Sequence, residues 1–129
     1  MKRAGRLIAK IADFDNLQLA YYKAQKGKAD KSEVLDYGKR LQANLQNLQT
    51  QILAGEVEAG NYHYFTIYDP KKRLICAAPF GQRVLHHALM NVCHPFFEKI
   101  QIFDSYASRL EKGTYAALER AKHFNKRYK

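Results

Sequence analysis

The spacing of apolar residues divides the chain into helical and extended stretches. Residues 4–12 alternate basic and apolar side chains (Arg6, Leu7, Ile8, Lys10, Ile11), a pattern that fits a frayed amphipathic turn or a loose arm. Leu17, Leu19, Ala20 and Tyr21 follow at roughly helical spacing behind Asp15 or Asn16, either of which makes a good N-cap. Gly27 ends that segment. From Ser32 to Gly55 the pattern predicts one longer helix, with Val34, Leu41, Leu45, Leu48 and Ile52 on an a/d stripe and Gln and Asn on the other faces. So short a stripe predicts packing against the protein's own core ahead of a self-pairing coiled coil.

The period then changes. Residues 62–68, YHYFTIY, are rich in aromatic and β-branched side chains, as a strand should be. Asp69-Pro70 sets a turn, and residues 73–78 supply the returning strand, giving a hairpin with lysines at its tip. Pro79 stops it. A helix from about Phe80 to Cys93 is expected to bury Val84, Leu85, Ala88, Leu89 and Val92, and Pro95 to restart a short apolar turn through Phe96 and Phe97. Residues 104–113 show no clear period and read as a loop. Thr114 can cap a last helix expected to bury Ala117, Leu118, Ala121 and Phe124 before the basic tail KRYK. These elements define an α+β fold, mostly helical, with about four to five helices and one antiparallel β-hairpin, in a single domain spanning 1–129.

Charge adds a direction to this picture. Lys and Arg number 22 against 12 Asp and Glu, a net +10 that points to a polyanionic partner. The segment 29–60 is net acidic, so the basic excess concentrates elsewhere. Lys71, Lys72 and Arg73 mark one basic loop, Arg109 and Lys112 another. If the helix between them folds the chain back, both loops face one surface suited to phosphates. Cys76 and Cys93 lie in apolar stretches, which predicts buried free thiols and suits a reducing cytosol. The N-terminus breaks at Lys10 and Asp13 before a signal-length apolar run develops, and no run approaches bilayer length, so the expected location is cytoplasmic, with no membrane partner.

Catalytic chemistry is harder to find. His86, His87, Cys93 and His94 match no zinc spacing, and adjacent helical histidines point about 100° apart. A Cys93–His pair lacks the geometry that a nucleophile needs. The acids Asp13, Asp15, Asp30, Asp36, Asp69 and Asp104 are scattered over caps and turns, and no phosphate-cradling glycine pattern occurs. The residues offer phosphate binding without a catalytic centre.

Several blocks together resemble a known family. DNLQLAYYKAQKGK at 15–28, NYHYFTIYDPKKRLICAAP at 61–79, GQRVLHHALMNVCHPFFE and DSYASRLEKGTYAALERA are similar, in this order, to the N-terminal part of bacterial reverse transcriptases. These are RNA-directed DNA polymerases of the group II intron and retroelement lineage, above all its diversity-generating branch. The likeness covers nearly the whole chain. It implies a fingers region in which Lys71 and Arg73 contact the triphosphate of an incoming nucleotide. It implies further that Lys26, Lys28, Lys72, Arg109 and Lys112 meet the template–primer, an RNA or RNA–DNA hybrid.

Two departures accompany the resemblance. Gly81-Gln82 stands where the family usually has an acid before the arginine, so a local ion pair is expected to be missing. The chain reaches Lys129 before that family's palm, with no metal-binding Asp strand and no Y-x-D-D turn. The expectation is therefore a fragment inactive alone, with no cofactor of its own and Mg²⁺ entering only in a complete polymerase. Phe96, Phe97, Ile100, Ile102 and Phe103 would then be bare where a palm should sit, which predicts a homo-oligomer through that surface. The alternative is a stand-alone basic nucleic-acid-binding or self-assembling module, with the stripe of residues 34–53 mediating oligomers. Arg83, Arg109 and Glu98 have a second reading, as pins that hold loops through ion pairs. For Arg83 the pin is preferred.

Overall fold

Asp13, rather than Asp15 or Asn16, opens the first long helix. Its carboxylate accepts from the backbone N–H groups of Asp15 at 3.1 Å and Asn16 at 3.3 Å, leaving Asn16 to work elsewhere. The computed structural model describes residues 4–58 and 60–128, so Lys129 of the basic tail lies outside the described residues. Upstream of Asp13, the alternating stretch forms a short helix, α1 (Leu7–Ile11), which buries Ile11. α2 (Phe14–Gln25) follows and buries Leu17, Ala20, Tyr21 and Ala24; Gly27 stands just beyond its end at φ 72°.

The predicted long helix is two helices, α3 (Ser32–Lys39) and α4 (Leu41–Ala54). The break falls at Arg40, φ −123° and ψ 34°. Gly38 weakens the helix there, and the Asn44 side-chain amide takes the Tyr37 carbonyl at 2.9 Å, replacing a bond that helix continuation would supply. Gly55 then closes α4 in the left-handed region, at φ 72°. The stripe itself faces inward as expected. Val34, Leu45, Leu48 and Ile52 are buried in the core with Leu17, Phe80, Val84 and Ala88, so those four cannot also mediate oligomers.

α5 (Phe80–Ile100) runs through Pro95 instead of stopping at Cys93. Proline lacks one N–H donor, and here the helix continues without it. Val84 and Ala88 are sealed, Leu85 and Val92 half-buried, and Leu89 is more exposed than its spacing suggests. Tyr21, Tyr37 and Phe80 pack ring on ring, with Tyr37 and Phe80 centroids 5.2 Å apart. Burial, with the neighbouring Tyr21, pushes the Tyr37 phenol up to about 12, so it stays neutral. A Cβ at Gly81 would meet the Tyr37 ring at 3.3 Å, which explains a glycine in the first turn of α5.

β1 (His63–Ile67) and β2 (Arg73–Ala77) form the predicted antiparallel hairpin, with His63 opposite Ala77 and Ile67 opposite Arg73. The tip contains a cis Asp69–Pro70 peptide. Thus the mostly helical α+β class with one two-stranded hairpin is what the chain adopts. The described residues hold six helices, because α1 forms and the central helix divides.

The chain divides into two compact units, Met1–Pro95 and Phe96–Lys129. The core above belongs to the first. In the second, α6 (Thr114–Arg127) starts after Gly113, and Thr114 is its first residue instead of its cap. No residue of α6 is buried: Ala117 and Phe124 are half-buried, Ala121 and Leu118 exposed, contrary to the expected packing. The described part of the unit offers α6 no apolar layer of comparable size. No helix among the described residues is long and apolar enough to cross a membrane.

Candidate nucleic-acid interface

The hairpin carries its chemistry on exposed positions. Residues 62, 64, 66 and 68 share one parity, and the pairs Tyr64–Cys76 and Thr66–Leu74 place their partners on the same face. Tyr64 and Leu74 are exposed there, and Tyr62 and Tyr68, which flank β1, are exposed as well, Tyr68 at 72%. Core burial of these tyrosines, the commoner outcome for such residues, does not occur. Cys76 is exposed too, contrary to the expected buried thiol, because no layer covers this face; Cys93 is half-buried. Exposed tyrosine rings on a strand face can stack on bases.

Lys71, Lys72 and Arg73 stand at the hairpin's turn, all exposed. Among the described residues none of the three takes part in a side-chain hydrogen bond or ion pair. An arginine fork and two ammonium groups in this condition are open to phosphate oxygens. Lys26 and Lys28, just after α2, are likewise exposed.

Arg109 and Lys112 behave differently. Arg109 Nε donates to Glu98 Oε1 at 2.7 Å, and Nη1 donates to the carbonyls of Ile102 at 2.8 Å and Ser105 at 3.0 Å. Its side chain is only 9% exposed. Lys112 donates to the Phe103 carbonyl and lies 3.8 Å from the Phe103 ring centroid and 4.6 Å from that of Tyr106. Both cations therefore shape the loop between α5 and α6, the pinning role anticipated for Arg109 and Glu98. Arg120 adds a further tie to Asp104 at 2.8 Å, which the sequence did not mark because it depends on how the loop closes on α6.

Arg83 is a pin as well, and the ion pair expected to be missing is supplied from another helix: Glu33 of α3 pairs with its guanidinium. Gln82 occupies its position usefully, donating to the Gly60 carbonyl at 2.8 Å and so tying the hairpin's approach to α5. Each of these local roles stands on the first unit alone, as does the hairpin; the 104–113 loop belongs to the second.

No family model matches the chain, and no curated protein matches it. The site is thus read from its own geometry.

Proposed function

We propose that this chain provides the fingers surface of an RNA-directed DNA polymerase, contacting the template–primer backbone and the triphosphate of the incoming nucleotide. The observation that carries the reading is the end of the hairpin, where Lys71 and Lys72 in the turn and Arg73 at the start of β2 are exposed and, among the described residues, without side-chain partners. Lys71 and Arg73 take the triphosphate, and Lys72, Lys26 and Lys28 take backbone phosphates. Arg109 and Lys112 act at one remove, by holding their loop in shape. The reading assigns this stretch contacts and no bond-making step, gives Mg²⁺ to the complete polymerase, and places the protein in the cytoplasm.

The exposure of Phe96, Phe97, Ile100 and Ile102 favours a second reading, a basic module that self-assembles through that surface. One experiment separates the two: a salt series of binding to a short RNA–DNA hybrid, with and without deoxynucleoside triphosphate and Mg²⁺. Under the first reading, Lys71→Ala with Arg73→Ala lowers the salt slope by about 1.5 to 2 and abolishes competition by triphosphate. Lys122→Ala with Lys126→Ala then costs clearly less. Equal losses from the two pairs would sink the fingers assignment. Binding undetectable even at low salt, with concentration-dependent dimers in light scattering, would give the function to the second reading.

A further inference from the structure

A second cationic cluster is built from α2 and α5 within the first unit. Two asparagines fix its geometry. Asn16 Nδ2 donates to the Ala88 carbonyl at 3.1 Å and the Ile11 carbonyl at 2.9 Å, and Asn91 Nδ2 donates to Asn16 Oδ1 at 3.0 Å. Lys23 Nζ in turn donates to Asn91 Oδ1 at 2.6 Å. Lys23 is thereby held against α5 about one helical turn from His87. His86 and His87, with Arg83 and Met90, line a shallow depression of about 190 Å³. Arg83 keeps a buried Nε without a hydrogen-bond partner.

Two ammonium groups, Lys23 and Lys28, act on His87 together with its neighbour His86. Burial lowers its proton affinity first, and Lys23, His86 and Lys28 lower it further. Glu33, the acid beside Arg83, is committed to that arginine. Ammonium groups held beside a half-buried imidazole favour an anion there.

We propose that Lys23, Lys28, His86 and His87 form a second contact for nucleic-acid phosphates, built from elements other than the hairpin. The proposal rests on nucleic acid being the partner and adds a proton linkage to it. A phosphate set against His87 offsets Lys23, Lys28 and His86, so the imidazole binds its proton more tightly in the complex. Binding then takes up protons and strengthens as pH falls through the histidine range.

The test measures binding of a short RNA by the full chain at about pH 6 and about pH 8, near either side of histidine titration. The unaltered protein should bind roughly fivefold or more tightly at the lower pH, since each unit of raised proton affinity is worth about tenfold. His86→Gln with His87→Gln should remove most of that ratio, although His63, His94 and His123 remain. Lys71→Ala with Arg73→Ala should weaken binding at both values and keep the ratio. A ratio unchanged in the histidine variant overturns this inference and leaves the fingers reading standing. A hairpin variant that binds like the parent, with the ratio intact, does the reverse. Failure of RNA to bind at either pH overturns both. On the unaltered chain, the imidazole resonance of His87 should titrate at higher pH once RNA is added. A midpoint that does not move overturns the inference whatever the variants do.

Discussion

The basic loops of the two units use their cations in opposite ways, although Arg83 pins the first unit as Arg109 pins the second. In the first, helices α1 to α5 close an apolar core in which Leu17, Val34, Leu45 and Val84 are sealed, and the cations of the hairpin tip are left outside with nothing to hold. In the second, α6 buries no residue, and Arg109, Lys112 and Arg120 tie the loop through Glu98, backbone carbonyls, aromatic rings and Asp104. Where hydrophobic burial fixes the backbone, lysine and arginine remain available to a partner. Where it does not, they do the fixing. A basic residue in a loop is thus no guide to binding until its donors are counted.

The largest test of this contrast is truncation of one apolar side chain in each unit. Leu17→Ala should cost about 2–5 kcal/mol, by lost transfer energy and a cavity. Leu118→Ala, at a side chain already 52% exposed, should cost less than about 0.5 kcal/mol. Denaturant unfolding of the two variants measures both. Similar costs would mean that the units are held together in the same manner, and the comparison would fail.

A smaller effect should come from removing the pin. Arg109→Gln strips the guanidinium from Glu98 and two carbonyls, at a cost of about 1–3 kcal/mol felt by the second unit. Amide exchange should accelerate across 101–113 while the core amides of α2 and α4 hold their rates. Arg109→Lys should not restore protection, because a single ammonium cannot span the three acceptors that the fork reaches. Unchanged exchange in the loop would return Arg109 to the pool of cations open to phosphate.

The elements that were legible in the sequence are those whose signal is local. The hairpin shows itself by β-branched and aromatic residues around Asp69-Pro70, and the inward face of α4 by Leu45, Leu48 and Ile52. The break at Arg40 was not legible, because it depends on Asn44 reaching back to the Tyr37 carbonyl, a choice that periodicity does not encode. Nor could spacing show that Leu118 and Ala121 lack a layer to pack on, since an amphipathic stripe states what a helix could bury and not what is there to receive it. The basic residues singled out as phosphate contacts split the same way. Lys71 and Lys72 are exposed because a turn exposes whatever it carries, and Arg73 because it opens a strand of a bare two-stranded hairpin, whereas the fate of Arg109 is decided by Glu98 and by two carbonyls that the loop turns toward it.

The smallest expected effect concerns the tie between Asp104 and Arg120. Hydrogen bonding from Arg120 holds the Asp104 carboxyl below its ordinary value, against some opposing desolvation, with further help from the Arg120 charge, Tyr106 and Lys112. A carboxyl depressed in the folded state contributes stability that is present above its unfolded value and is lost as pH falls through the folded one. The tie should therefore hold through neutral and mildly acidic conditions and release only below the ordinary aspartate range. Carboxyl carbon shifts would follow the midpoint, and Arg120→Gln should bring it back toward 3.8. Because both partners reach solvent, salt should screen the effect and little global stability should ride on it. A midpoint that stays low in Arg120→Gln would mean that Tyr106 and Lys112 hold the carboxylate instead, and that the loop depends on its aromatic ring and ammonium more than on its arginine.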